Sequence, residues 1–495
     1  MQGVDYVYPQ TFERFFGLLP RRFRAHPLLF AYFEYLLKCY CRKEGRTFTM
    51  SSNQNTASGT QFASRWGFIL ASIGSAVGMA NVWGFPAKVG QNGGGAFIIA
   101  YLLFIVLFGV VALSAEFAIG RRTGSGTVAS YGAAWASRSE KLRTPGTILG
   151  WLPLAGSMGI ALGYACIISY ILKGLVSSIT GELLAGDAEA WFGATSGTPF
   201  GVVGYHIIVV VVTLATMLMG PETIEKTNKV MMPVFFIIFI ILMVRVAMMP
   251  GAVEGYKFMY MPVWSKLADP MVWVWAMAQA FFSLSVTGSG MVVYGAYLSK
   301  DEDIVGTAKM TALFDTIAAM VAAMVVIPAC FAYNLDVAAG PSLLFIVLPT
   351  ILADIPMGQL FAIILYLAML FAGISSLQNM FEAVGESLMR YIPKLSRNMM
   401  LVVLGVICLG IGVFMEPIAK WGPWMDIVSI YIIPIGATLG AISWFWVMKK
   451  EDLLDEINHG AKSKYGNKWY YAGKFVVVPC ALILCGCALI LKIAF

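Results

Sequence analysis

A cluster of small residues and one amide interrupts the first long apolar stretch of the sequence. It runs from Gly74 to Asn81 as Gly-Ser-Ala-Val-Gly-Met-Ala-Asn and is followed by Pro86. An amide in hydrocarbon needs partners, and a helix that unwinds there frees carbonyls that are tolerated only where they line a cavity or bind a ligand. The cluster predicts a broken helix whose oxygens could bind a cation. Close helix packing through the two glycines is the alternative reading.

A second cluster of this kind follows about five apolar runs later, which is the spacing of an inverted repeat. It reads Ser-Leu-Ser-Val-Thr-Gly-Ser-Gly from Ser283 to Gly290. Paired broken helices are typical of transporters, in which half-helix ends face the substrate and loosened carbonyls face cations. We therefore expect both clusters to meet at one mid-membrane site.

Four acidic residues lie within apolar runs: Glu116, Asp315, Glu382 and Asp426. On insertion scales each costs roughly 2.5 to 3.5 kcal/mol at the centre of a membrane helix, so each needs a function or a partner. Asp315 lies deep in its run, and we predict that it belongs to the site or to an ion pathway. For Glu116 and Glu382 a packing role is equally open.

The amino-acid composition indicates the kind of structure that positions these residues. Of 495 residues, 59% are hydrophobic and only 12% are charged, and the mean hydropathy is +0.76. These values exclude a soluble globular domain and indicate a bundle of membrane-spanning helices. The net charge of +7 does not require a nucleic-acid partner, because the basic residues fall in short clusters between apolar runs. A membrane enzyme is also disfavoured, since the sequence has three histidines and no H-E-x-x-H or G-x-S-x-G pattern.

Eleven spans result when the chain is divided at Gly, Pro and charged clusters. They cover 66–90, 96–120, 147–181, 203–220, 229–249, 271–298, 306–333, 357–390, 398–416, 424–448 and 472–494. Lys and Arg are concentrated in alternate loops, so the N-terminus is expected in the cytoplasm and the C-terminus outside. Residues 1–61 form a cytoplasmic segment in this scheme. Its first 49 residues are expected to precede the true start at Met50; a basic, aromatic segment lying on the inner leaflet is the alternative.

Several motifs together resemble the neurotransmitter:sodium symporter family, in its bacterial amino-acid-transporting branch. The opening signature combines Arg65, Trp66 and Gly67 with the 74–81 cluster, Phe85-Pro86 and residues 92–97. Further matches are Glu116 with Gly120 and Arg121, and the segments 224–233, 279–285, 300–304 and 372–376. The resemblance covers nearly all of 65–450. It implies a leucine-transporter-like fold, an all-α integral membrane protein of eleven helices in a 5+5 inverted repeat with helices 1 and 6 broken. The first repeat would be 62–250 and the second 251–450, with a cytoplasmic loop and the last span in 451–495.

The resemblance also implies the ligand sets. The first sodium site would use Ala76, Asn81, Ser283 and Asp315 together with a substrate carboxylate. The second sodium site would use Gly74, Val77, Ala372, Ser375 and Ser376. The substrate would contact Ala76, Gly78, Ile160, Tyr164, Phe282, Ser285, Gly288, Ser376 and Met380. Every proposed sodium ligand is a hard oxygen, which suits Na⁺.

Two glycines carry the expectation about the substrate. Relatives that bind amines without a carboxylate have an aspartate at the position of Gly78, so this glycine favours an amino acid. The position of Gly288 is bulkier in the leucine-type archetype, which would leave room here for a large apolar side chain. The family resemblance also suggests that Asp315 replaces a chloride ion held near Tyr101, Gln279 and Ser283, because Ala319 stands where chloride-dependent relatives have a serine.

The gates depart from the family pattern. Gly84 takes the place of an outer arginine, which leaves Asp426 as the one candidate for an outer gate. Gly59 and Phe62 replace an inner arginine and tryptophan, and Arg390 replaces the inner acid. Arg65 is a candidate for a new inner ion pair, although the sequence indicates no partner for it.

The sequence predicts a sodium-coupled symporter that imports a hydrophobic amino acid by alternating access and independently of chloride. Its partners would be the amino acid, sodium ions and the lipid bilayer. A sodium-dependent transporter of a non-carboxylate small molecule and a transporter-like receptor or scaffold stay open as alternatives. The 182–202 loop has no cysteine and no N-x-[ST] acceptor. We therefore expect a multi-pass protein of the bacterial inner membrane.

Overall fold

The computed structural model describes residues 61–338 and 343–492, and within these ranges the regular structure is helical, with no β-strand. The main helices are α1 (Arg65–Ala76), α2 (Ala80–Gln91), α3 (Gly95–Thr123), α4 (Thr127–Ala136), α5 (Glu140–Thr180), α6 (Ala188–Gly197), α7 (Val203–Ala215), α8 (Pro221–Ala247), α9 (Ala252–Tyr260), α10 (Pro270–Ser283), α11 (Gly290–Ala296), α12 (Ile304–Ala332), α13 (Leu343–Asp354), α14 (Gly358–Tyr391), α15 (Arg397–Met415), α16 (Ile418–Val447), α17 (Lys450–Asn458) and α18 (Asn467–Leu491). Expectations about residues 1–60, including Met50 and Gly59, lie outside the described part.

The chain is an all-α integral membrane protein. Eight of the described helices are long and apolar enough to cross a membrane, and α1 with α2 forms a ninth span that bends by 55°. The short α7 and the broken pair α10 and α11 occupy the two other positions at which the sequence predicts a span. Counted together, these segments match the eleven predicted runs. The 13 residues of α7 are fewer than the roughly 20 that a full crossing requires.

Several predicted boundaries differ from the structure by five to eight residues, and two of them differ because Gly220 and Pro221 divide the chain at another place. The predicted fourth span continues to residue 220, yet α7 ends at Ala215. The fifth begins at Pro221 instead of residue 229. Gly220 has a φ of +68°, and Pro221 occupies the first turn of α8, where its missing N–H costs nothing. The charged first turns of α8 concealed this start from a hydropathy reading.

Both predicted breaks are present. The chain leaves helical geometry at Val77, where ψ is 105°, and resumes at Ala80. The second break separates α10 from α11, and within it Ser285 and Gly288 have φ values of +53° and +76°. The hydroxyl of Ser285 donates to the carbonyl of Ser75 at 3.2 Å, so the second break contacts the last turn of α1 just before the first break. Helices α5, α12, α14 and α16 contribute the other residues of the site.

Candidate functional site

Three predicted ligands of the first sodium site form one buried cluster. The Asn81 amide donates to Asp315 Oδ1 at 2.7 Å, and the Ser283 hydroxyl donates to Asp315 Oδ2 at 2.7 Å. The amide of Asn81 also reaches the Asp315 carbonyl at 3.1 Å. All three residues have 0% exposure. The start of α2, the end of α10 and the middle of α12 therefore meet at one carboxylate.

The charge of Asp315 has no cationic side chain beside it. None of the ion pairs formed within residues 61–338 and 343–492 includes this carboxylate, and its two oxygens receive neutral donors. A buried carboxylate is costly unless a counter-ion or further hydrogen bonds offset its desolvation. The cluster is thus suited to a small hard cation that binds through oxygen.

The predicted second sodium residues also converge. The Ser376 hydroxyl lies 3.3 Å from the carbonyl oxygens of Gly74 and Val77. Ser375 bonds within its own helix to the Ala372 carbonyl at 3.0 Å. One hydroxyl proton cannot satisfy all the carbonyls around Ser376, so this group has more acceptor oxygens than donors. A cation would balance that excess.

A cavity of about 50 Å³ lies between the two breaks. Eight of the nine predicted substrate residues line it: Ala76, Gly78, Ile160, Tyr164, Phe282, Ser285, Ser376 and Met380. The lining also includes Ser75, Ala80, Ser157, Thr287, Asn379 and Ile433. Ser157, Asn379 and Ile433 were not predicted, because each lies in a long helix whose facing side cannot be read without its neighbours. Thr287 lies inside the second broken cluster, so its type and place could have identified it.

Gly78 lines the cavity at a place where only a glycine fits. A side chain there would collide with the hydroxyls of Tyr164 and Ser376. The Tyr164 oxygen accepts the Met79 N–H at 2.8 Å, so this bond does not use the phenol proton, and the Ser376 hydroxyl lies beside it. This corner therefore has hydroxyl groups but no carboxylate, and it lies close to the breaks that supply the cation ligands.

The structure differs from the prediction that Gly288 contacts the substrate, because Gly288 is not part of the cavity lining. Its φ of +76° turns the backbone, so an added side chain would meet the Tyr131 hydroxyl and the Gly436 carbonyl. Its N–H donates to Glu116 Oε1 at 2.7 Å. The small size of Gly288 thus serves close backbone packing and does not enlarge the space for a substrate side chain. Glu116 holds the second break in place through this bond.

Glu382 belongs to an ionic network at the end of α14. Its two oxygens bind Arg397 at 3.1 and 2.6 Å, and the Tyr297 hydroxyl donates to it at 2.6 Å. Arg397 also donates to the Met217 carbonyl at 2.8 Å. This network joins the end of the broken α10–α11 pair to α14 and α15. The sequence did not indicate that Tyr297 and Arg397 would bind Glu382.

The structure shows the surroundings of the three candidate gate residues Asp426, Arg65 and Phe62. Asp426 is exposed and takes part in no ion pair among the described residues. Arg65 finds the partner that the sequence did not indicate, Glu302, at 3.5 Å. Phe62 is 8% exposed, and its N–H donates to the Tyr297 carbonyl at 3.2 Å. Phe62 thus closes the same end as the Glu382 network by aromatic packing.

The positions that match the chloride site of chloride-dependent relatives lie beside the buried cluster of Asn81, Ser283 and Asp315. The Tyr101 hydroxyl donates to Ser283 Oγ at 3.4 Å, and Gln279 donates to the Ala80 carbonyl at 3.2 Å. Ala319 is buried and brings no polar atom of its side chain. Asp315 is therefore the fixed negative charge in this group.

Known proteins match nearly the whole described chain. The model of the sodium:neurotransmitter symporter family matches residues 59–200 and 195–494. An uncharacterized sodium-dependent transporter of Bacillus subtilis, YhdH, is 32% identical over 444 residues, covering 86% of this chain and 96% of the relative. Another from Methanocaldococcus jannaschii, MJ1319, is 32% identical over 450 residues, covering 85% and 88%. The crystal structure of MhsT in complex with L-phenylalanine superposes with a TM-score of 0.78 at 32% identity, covering 86% of this chain and 99% of that one. The chain belongs to the sodium:neurotransmitter symporter family.

Proposed function

We propose that this sodium-dependent symporter imports an amino acid by alternating access and that its transport does not depend on chloride. Members of the family are transporters and not enzymes, and sodium is their coupling ion. No covalent step is needed, because the work is done by binding ions and substrate on one side of the membrane and releasing them on the other.

The corner at Gly78 carries the amino-acid assignment. A substrate carboxylate placed there would accept the phenol proton of Tyr164 and share the cation beside Asp315. Its negative charge would complete the first sodium site, so the substrate and ion would bind as a pair. The structural relative MhsT is described with bound L-phenylalanine, and the apolar wall of Ile160, Phe282 and Met380 supports a substrate with an apolar portion.

Both oxygen clusters are proposed sodium sites. The first consists of Ala76, Asn81, Ser283 and Asp315, and the second of Gly74, Val77, Ala372, Ser375 and Ser376. Two sodium ions moving down the membrane potential supply about 4.6 kcal/mol per 100 mV, since each charge contributes about 2.3. This energy suffices to concentrate a solute about a thousandfold.

The membrane arrangement is part of the proposal. The basic loops place the N-terminus in the cytoplasm, and a bacterial inner membrane is the expected location. Residues 62–250 and 251–450 would be the two inverted halves whose relative rocking opens the cavity to either side.

Proteoliposome uptake tests the function directly. Labelled amino acids are offered with an inward sodium gradient and again with sodium replaced by potassium or choline. We expect accumulation only with sodium, and we expect Gly78→Ala to abolish it because the added methyl meets Tyr164 and Ser376. Sodium-dependent binding without uptake would instead indicate a receptor, and no response to any amino acid would indicate a non-carboxylate substrate.

Asp315→Asn tests the role of the fixed charge. The variant should either lose sodium-driven uptake or become responsive to external chloride, because a mobile anion then has to supply the missing charge. Uptake that stays unchanged and indifferent to chloride would refute this role. Folding of the variant is verified by its elution as one species on size-exclusion chromatography in detergent.

A further inference from the structure

The cavity has a second polar end that the proposed carboxylate and sodium sites do not use. Ser157 from α5, Thr287 from the second break and Asn379 from α14 line it, and the apolar residues Ile160 and Phe282 form part of the remaining wall. A pocket for a purely hydrocarbon side chain needs no such group, because buried polar atoms without partners are costly. The composition of this end therefore calls for an explanation.

Three hydroxyls at this end are linked in a chain. Ser157 Oγ lies 2.6 Å from Ser289 Oγ, and Thr287 Oγ1 lies 3.0 Å from the same atom. Three hydroxyls carry three protons, and the two bonds between them use only two. Ser289 has 0% exposure, so its own proton is best used within the chain. The proton that is left then belongs to Ser157 or Thr287, both of which face the cavity.

The hydrogen bonding of Ser157 differs from that of two other serines buried in the same helix. Ser169 and Ser178 of α5 donate back to the carbonyls of Ala165 and Gly174, at 2.6 and 2.7 Å. Such bonds satisfy a hydroxyl inside a membrane helix without any external partner. Ser157 reaches across to the second break instead. Its hydroxyl is therefore presented at the cavity and not absorbed by its own backbone.

Asn379 extends this polar end on the side of α14. Its amide donates one bond to the Gly290 carbonyl at 3.0 Å, and an amide nitrogen carries a second proton. Asn379 is 4% exposed, so its remaining capacity is met by neighbouring protein groups such as the Tyr294 hydroxyl, or by a bound molecule, and not by bulk water. The polar end thus offers both donors and acceptors in a confined place.

We propose that the transported amino acid carries a neutral hydrogen-bonding group on its side chain, beyond an apolar portion, and that Ser157, Thr287 and Asn379 receive this group. This inference rests on the proposed amino-acid function and specifies its substrate class. A site built to hydrogen-bond a substrate group discriminates strongly against analogues without it, because its own polar atoms are then left unpaired. The apolar wall excludes charged side chains on the same grounds of desolvation.

Near-isosteric amino-acid pairs provide the test. Threonine has a hydroxyl where valine has a methyl group, and tyrosine has a hydroxyl that phenylalanine lacks. Each of the four amino acids is added unlabelled, and its inhibition of the sodium-dependent uptake of a labelled substrate is measured. In the wild-type protein we expect the hydroxylated member of at least one pair to compete about tenfold better or more, which is the effect of one well-placed hydrogen bond. A preference for the hydrocarbon member in both pairs would overturn the proposal.

Variants locate the cause of the preference. Thr287→Val and Ser157→Ala should bring the competition ratio between the two members of the pair close to one, because the groups that distinguish them are removed. Thr350→Val is the matched control, because this exposed hydroxyl only bonds back to the Ile346 carbonyl and its loss should leave the ratio unchanged. An unchanged ratio in both cavity variants would contradict the assignment. Absence of sodium-dependent uptake for every amino acid would remove the proposed function itself, and this outcome differs from uptake without discrimination.

Discussion

Two regions hold the bundle closed by different chemistry. We call Arg121, Glu382, Arg397 and Glu456 with their partners the ionic end, and Trp421 and Trp424 with Gly159 and Gly163 the indole seal. At the ionic end, Arg121 Nε meets Glu456 Oε1 at 2.6 Å and the Arg397 guanidinium meets Glu382 at 2.6 Å. In the indole seal, Trp421 and Trp424 of α16 donate to the carbonyls of Gly163 and Gly159 of α5, both at 2.8 Å.

Because the two regions are held by different interactions, separating the helices at each region costs a different free energy. Breaking a buried ion pair strands a charge, which costs about 3–5 kcal/mol, whereas a neutral hydrogen bond contributes about 0.5–1.5 kcal/mol. The indole seal should therefore open readily, and the ionic end should stay fixed or move as a unit. The predictions below challenge this contrast, beginning with the largest expected effect.

Removing Arg121 should destabilise the protein the most. Its guanidinium is 1% exposed, pairs with Glu456 and donates to several carbonyls, among them Glu302 at 2.7 Å. Arg121→Met should cost about 3–5 kcal/mol of folding free energy, because the buried Glu456 keeps only the half-exposed Lys300 ammonium at 3.4 Å and the carbonyls bound by Arg121 lose their donor. The measurement is the temperature at which monodisperse protein is lost in detergent.

Arg122→Met is the control for this prediction. Arg122 pairs with Asp452, but both side chains are about one-third exposed, at 33% and 31%. Such a pair contributes about 0–1 kcal/mol. Equal thermal shifts for the two arginine variants would contradict the view that the ionic end depends on buried charge.

Tyr297→Phe should loosen the ionic end without unfolding the protein. The lost bond to Glu382 is charge-assisted, so its removal should cost about 1.5–3 kcal/mol. Because Phe62 is bound to the Tyr297 carbonyl, hydrogen exchange in residues 61–68 should accelerate about tenfold or more. Tyr256→Phe is the control, since this hydroxyl bonds the neutral Met324 carbonyl at 3.2 Å; equally fast exchange in that variant would count against the network.

The indole seal should respond more weakly. Trp421→Phe or Trp424→Phe each removes one neutral bond, so thiol labelling of an Ile160→Cys reporter should become up to about tenfold faster. Trp446→Phe removes a similar bond, to the Lys474 carbonyl at 2.9 Å, at an exposed site away from the cavity. Labelling that is unaffected by the first two variants, or equally affected by the third, would rule out a seal at α16.

The smallest effect is expected at Arg65. Its pair with Glu302 is 3.5 Å long, and the side chains are 36% and 24% exposed. Arg65→Gln should shift stability by less than about 1 kcal/mol, and the shift should fade at high ionic strength because salt screens exposed pairs. A large shift that does not depend on salt would place Arg65 among the buried pairs of the ionic end.

Residue type and spacing predicted much of the candidate site. Asn81, Ser283 and Asp315 were identifiable because a polar or acidic group in an apolar run demands a partner, and the structure brings these three together. Ser157 and Asn379 were missed because a single small polar residue in a long helix gives no indication of the side it faces. Gly288 was placed against the substrate by the family resemblance, whereas the backbone direction set by its φ of +76° could not be read from the sequence.

The sequence by itself determined the class of protein. Its apolar runs require membrane helices, and its two polar breaks require a cavity, because hydrocarbon cannot satisfy free backbone groups. Only the tertiary structure decided which distant residues share a buried charge, such as Arg121 with Glu456 and Glu382 with Arg397. Such pairs depend on helix packing over hundreds of residues, and periodicity within one helix carries no information about them. The same packing decided that the hydroxyls of Ser157 and Thr287 face the cavity together.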